Sequence, residues 1–228
     1  MSNQDNRTMM FRFWLIFGIM LSIVLGMTVF SKQVEAAGRI IYVDHEATDG
    51  TGDGTNWSNA YTNLQAAINA AVSGDQIFVA DGTYYPTGNG TGRNVHFTLK
   101  NGVAIYGGQT GLRGYGTETI LSGNIGDPSV SSDNTYHVIR TSGLDHTAIL
   151  SGVTIQGGRA DLYGQSQGGG IYNNGSSPTI KNVIIRGNTA VYGAGIANTY
   201  GSSPSLTNVI ISGNNAIKDG GAGGVGGG

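Results

Sequence analysis

The chain has 228 residues, 40 of them glycine, with 39% hydrophobic and 11% charged residues, no cysteine and a formal net charge of −2. Glycine without a Gly-X-Y period excludes collagen, and low charge beside abundant Val, Ile and Thr excludes a disordered chain. The slightly acidic balance offers no stripe to neutralise phosphates, which excludes nucleic acid as a partner, and the missing cysteines exclude disulfides and thiolate metal sites.

Arg7 and Arg12 precede an apolar run from Trp14 to Phe30, and Val34-Glu35-Ala36-Ala37 places small residues at the −3 and −1 positions. Residues 1–36 are therefore predicted to be a secretory signal peptide cleaved after Ala36. The remainder would be secreted or held at the cell surface. An uncleaved leader would act as a membrane anchor, and it is the one membrane contact expected.

Residues 37–74 are predicted as a lead-in. Ile40-Ile41-Tyr42-Val43 reads as a first strand, and Thr62 to Val72 carries apolar residues at helical spacing (Leu64, Ala67, Ile68, Ala71). Thr62 is the expected N-cap and Gly74 the expected stop. Such a helix would lie across the open end of the first coil, where strand edges and core need covering.

Residues 75–217 carry the body. Ile77 to Ala80, Val95 to Leu99, Val103 to Tyr106, Thr119 to Leu121 and His137 to Arg140 are strand candidates bounded by glycine turns. Beyond them a pattern repeats about every 25 residues, the size expected of a solenoid unit. Gly168-Gly169-Gly170-Ile171-Tyr172-Asn173 is followed by Ser176 through Ala190. A second copy runs from Gly193-Ala194-Gly195-Ile196-Ala197-Asn198 through Ala216, and a more divergent one spans Ala148 to Ala160.

Three short strands and three corners per copy leave no room for a helix. The predicted fold is all-β, a right-handed single-stranded parallel β-helix of about five coils with a short N-terminal capping α-helix. The columns Val153/Val183/Val209 and Ile155/Ile185/Ile211 are expected to face the core, and Thr154/Ile184/Ile210 to face water. Gly157/Gly187/Gly213 marks a corner, and Asn182/Asn208 and Asn188/Asn214 suggest stacked amides. Residues 218–228 read as a glycine-rich incomplete coil or disordered tail, from which self-association through an open last coil is expected.

Two stretches carry a family likeness. Tyr42-Val43-Asp44, Asp49 to Tyr61 and Leu64-Gln65-Ala66-Ala67-Ile68 through Asp81-Gly82-Thr83-Tyr84 resemble the N-terminal region of bacterial secreted β-helix proteins of the pectin-lyase-like superfamily. Gly-Gly-Gly-Ile-Tyr-Asn and Asn-Val-Ile-Ile-Arg-Gly-Asn-Thr-Ala are similar to repeats of polymorphic outer-membrane-type surface proteins. The resemblance implies a β-helix and secretion. Its members include polysaccharide lyases, glycoside hydrolases and adhesins, so it implies no single reaction.

A hydrolase needs carboxylates gathered on one face, and a lyase needs a Ca²⁺ cluster beside a base. No column of the clear repeats stacks an acid, and Lys181 and Arg186 lack acidic neighbours in register. No catalytic residue is predicted. Asp44, Asp49 and Asp53 are the candidate Ca²⁺ ligands, with Asx turns in a lead-in loop as the competing reading. Tyr163, Tyr172, Tyr192 and Tyr200 are the candidate ligand-binding residues, set against ordinary packing on a sheet face. The four histidines, at 45, 96, 137 and 146, are expected to be surface or satisfied groups. The function expected is a non-catalytic scaffold or adhesin that contacts extracellular polysaccharide or a surface protein. The alternatives are a polysaccharide lyase or glycoside hydrolase, and a fragment of a longer surface protein.

Overall fold

The structure, a computed structural model, describes residues 38–48, 50–87, 92–109, 111 and 118–218. The predicted leader, Asp49 and the tail from Asp219 onward lie outside the described residues. The β-helix belongs to the compact unit Ala37–Gly228.

Its strands are β1 (Ile40–Val43), β2 (Gln76–Ala80), β3 (Gly82–Tyr84), β4 (Ala104–Gln109), β5 (Thr119–Ser122), β6 (Ile139–Ser142), β7 (Ile149–Ser151) and β8 (Val153–Gln156). They continue as β9 (Arg159–Ala160), β10 (Ile171–Asn174), β11 (Thr179–Arg186), β12 (Thr189–Ala190), β13 (Ile196–Thr199), β14 (Ser205–Ser212) and β15 (Asn215–Ala216). All strand pairs are parallel. One long sheet stacks the rungs β1, β2, β4, β7, β11 and β14, and β3, β5 and β8 join it through β11. A second sheet is β6, β10 and β13, and a third is β9, β12 and β15. From β8 onward the chain visits long, third and second sheets in turn before returning to the next rung. That path is a parallel β-helix, with five coils after the lead-in strand as the sequence predicts.

The core is a set of stacked columns. Register places Ile41, Ile77, Ile105, Leu150, Ile180 and Leu206 in one line on successive rungs. All but Leu206 are buried. Leu121, Ile155, Ile185 and Ile211 form a second column, and Ile139, Ile171 and Ile196 a third. Each buried Ile or Leu contributes roughly 1.5–3 kcal/mol relative to exposure.

The capping helix α1 (Leu64–Ala70) buries Leu64, Ala67 and Ile68 in the cluster that holds Ile41, Val43 and Ile77. Its cap differs from the expected Thr62. Asn63 sits in extended backbone and its side chain accepts from the Ala66 N–H at 2.9 Å. The helix ends before Gly74, because Ala71 is already extended (ψ 148°) and the Lys100 ammonium meets the Ala71 carbonyl. Asp75 then ties this end together. Its carboxylate accepts from the Arg39 N–H, the Arg39 guanidinium (2.7 Å) and the Val72 N–H.

Three other expectations are revised. Val95 to Leu99 is not a full strand, since only Phe97 bridges, to Ile139. The Thr98 N–H is turned instead to the Gln65 side chain on α1. Strand β6 begins at Ile139 rather than His137. Thr154, expected to face water, is 1% exposed because its hydroxyl meets the Glu118 carboxylate.

Polar ladders run beside the apolar columns. Asn188 donates to the carbonyls of Ile155 and Arg186 and to Asn214 Oδ1 at 3.0 Å, while its own oxygen accepts from the Gly158 N–H. Asn208 donates to Asn182 Oδ1 at 2.8 Å. Both of those residues have φ of 51°, a left-handed conformation that Asn tolerates better than most residues. A third ladder, Thr141 to Asn173 to Asn198, lies inside the second sheet.

The corner column Gly157, Gly187 and Gly213 has φ of 78°, 62° and 62°, which explains why glycine recurs there.

Candidate functional site

On each rung of the long sheet, the residue between two core positions points outward. Between Ile41 and Val43 that residue is Tyr42, between Ile77 and Val79 it is Phe78, and Tyr106 follows Ile105. The register aligns Tyr42 with Phe78 and Phe78 with Tyr106. Their ring centroids are 6.2 Å and 5.8 Å apart, and Trp57 of the lead-in loop extends the row 4.7 Å beyond Tyr42. Neighbouring rings meet at 68–84°, so each edge packs on the next face. All four rings are partly exposed. Below them the same column continues as Ser151 and Lys181.

Farther along the same face, Glu118 accepts from Thr154 and forms an ion pair with Arg186 at 3.2 Å. The expectation that Arg186 lacks an acidic partner is thus corrected. Its partner lies 68 residues away in the chain and reaches it across neighbouring coils.

The candidate tyrosines do not form one strip. Tyr172 lies on β10, stacked on His137 at 5.1 Å and 5.8 Å from the Arg140 guanidinium. Tyr163 and Tyr200 sit in turns, 97% and 83% exposed, and Tyr192 lies beside Gln167 across a bridge. Among the described residues no ring contact joins the four.

Asp53 accepts from the Thr55 N–H and hydroxyl at 3.0 and 2.7 Å, which holds its carboxyl below the usual range. Asp44 is buried and accepts from the Glu46 N–H. Both interactions are Asx-turn geometry. Asp49 lies outside the described residues, and among those residues no three metal-binding side chains cluster.

The second sheet carries a cavity of about 340 Å³ on its outer side, where Arg140, Ser142 and Asn174 of β6 and β10 face Leu99, Leu144 and His96. The His96 Nδ1 meets the Asn94 carbonyl at 2.7 Å, and burial pushes its pKa down. His137 behind it is buried between the Gly168 carbonyl and Gln165, and burial lowers its pKa as well. It is the satisfied histidine the sequence suggests. Among the described residues no helix is long and apolar enough to cross a membrane.

No curated protein and no solved structure matches the chain. Residues 47–226, from the lead-in loop through the last strand, match the family described as "Protein of unknown function (DUF1565)". The chain belongs to the DUF1565 family, and its described residues fold as a parallel β-helix.

Proposed function

We propose that the chain works outside the cell as a non-catalytic contact module of the pectin-lyase-like kind, holding an extended polysaccharide against the aromatic face of its long sheet. The observation that carries this reading is the row Trp57, Tyr42, Phe78 and Tyr106. Parallel rungs about 4.8 Å apart set the rings in a line along the helix axis. The C–H faces of sugar rings pack on aromatic surface, and several weak contacts in line add up for a polymer where one would not hold a monomer. Glu118, the carboxylate farther along this face, is already engaged by Arg186 and Thr154, an arrangement that favours support over acid catalysis.

Affinity electrophoresis of the full-length chain in gels holding pectin, alginate or xylan tests this reading. Retardation by at least one polymer is expected, with loss of the retardation in the Phe78→Ala/Tyr106→Ala double variant. Equal retardation of that variant contradicts the reading. Release of reducing or unsaturated ends would move the assignment to a lyase or hydrolase.

A further inference from the structure

The described arginines of the β-helix unit follow a pattern with one exception. Arg39 pairs with Asp75, Arg93 and Arg159 with Asp161, and Arg186 with Glu118. Arg140 has no carboxylate partner among the described residues. Its guanidinium lies 5.8 Å over the Tyr172 ring and lines the cavity on the second sheet. A partly buried guanidinium has five N–H donors to satisfy, and its planar fork matches a carboxylate in a bidentate pair.

The rest of the lining is neutral. Ser142 follows two residues after Arg140 on β6, so it shares the outer face, and the register pairs it with Asn174 on β10. Neither side chain has a hydrogen-bond partner among the described residues. Leu99 and Leu144 supply an apolar wall. Burial and the nearby Arg140 hold the His96 ring toward its neutral form, which leaves Arg140 as the fixed charge of the lining. A cavity of about 340 Å³ is at the lower end of the range for small-molecule sites.

We propose that this cavity binds a small hydroxylated carboxylic acid, with the carboxylate on the Arg140 fork, hydroxyl groups on Ser142 and Asn174, and the carbon chain against Leu99 and Leu144. The site lies on a different sheet from the aromatic row and does not depend on polysaccharide binding there.

The test is an NMR titration of the full-length chain, following the His96 ring resonances, with D-gluconate as the probe and sorbitol as its uncharged counterpart. Gluconate is expected to give a saturable isotherm, and sorbitol no shift. Arg140→Gln should weaken binding by about tenfold or more, and Arg140→Lys by several-fold, because an ammonium lacks the fork. Ser142→Asp supplies a resident carboxylate to Arg140 and should abolish binding. If Arg140→Gln alters the spectrum away from the cavity, Ser142→Asp decides the matter, because it keeps the arginine paired. Equal binding of sorbitol, of inorganic sulfate at matched ionic strength, or of gluconate to the Ser142→Asp variant would overturn the proposal.

Discussion

The two halves of this β-helix are built on the same columns but spend their outer surfaces differently. From Ile149 to Ala216 the coils are regular, with core positions returning in register after 30 and then 26 residues, and the amide ladder Asn188–Asn214 spans 26 residues. From Ile40 to Ser142 the rungs are separated by loops of unequal length, and this half carries the aromatic row and most of the cavity's lining. Regular sequence marks residues repeated for support, whereas irregular sequence marks surfaces that differ from rung to rung.

The ends differ as well. At the first rung, Gly54 and Tyr61 of the lead-in loop accept from the Tyr42 and Asp44 N–H groups, so the edge of β1 is paired. Helix α1 covers the core there. On β14, Leu206, Ile210 and Ile211 are 44%, 55% and 37% exposed. Ile211 continues the column of Ile155 and Ile185, so an interior position is open to solvent on this rung.

The largest expected effect separates these environments directly. Ile185→Ala, at a fully buried position, should cost about 2–5 kcal/mol in urea unfolding, and Ile211→Ala well under half of that. Equal costs would mean that the last rung is covered in solution. Next, Asn188→Ala strands the buried Gly158 N–H and the Ile155 carbonyl, and should cost about 2–3 kcal/mol. Asn208→Ala on the exposed ladder should cost about 1–2 kcal/mol, chiefly because Ala tolerates a φ of 51° less well than Asn.

Asp75 sharpens the contrast through pH. Its bonds to Arg39 hold its pKa down to about 2. A depressed carboxylate stabilises the fold above its ordinary pKa of about 4 and loses that stabilisation as pH falls toward 2. Asp75→Asn should therefore lower Tm at neutral pH and flatten the acid limb of the Tm–pH curve. His137 acts in the window above. Its folded pKa is lowered by burial, so stability should fall as pH drops below its ordinary value near 6.5, and His137→Gln should reduce that slope. Phe78→Ala should cost only about 1 kcal/mol, at a partly exposed ring, together with loss of polymer retention.

Sequence made the regular half readable, because the Val153/Val183/Val209 column and the Gly157/Gly187/Gly213 corner return together, after 30 and then 26 residues. The alternation in Ile41-Tyr42-Val43 and Ile77-Phe78-Val79 carried a signal for the outward rings, which the expectation of a strip of Tyr163, Tyr172, Tyr192 and Tyr200 passed over. The alignment of Tyr42 and Phe78 with Tyr106 was hidden, since the unequal loops between β1, β2 and β4 give no period from which to read register. The Glu118–Arg186 pair and the buried state of Thr154 were hidden for the same reason: the acid belongs to an irregular coil and reaches a regular one. Arg140 looked like any strand arginine, because a cation without a carboxylate partner among the described residues is recognised only by what the fold places around it.

Hydrogen exchange of the full-length chain, with and without a polysaccharide that retards it, tests the division of labour between the halves most directly. Added protection is expected on β2 and β4, beneath Phe78 and Tyr106, and none on β14. Added protection on β14 with β2 and β4 unchanged would contradict it.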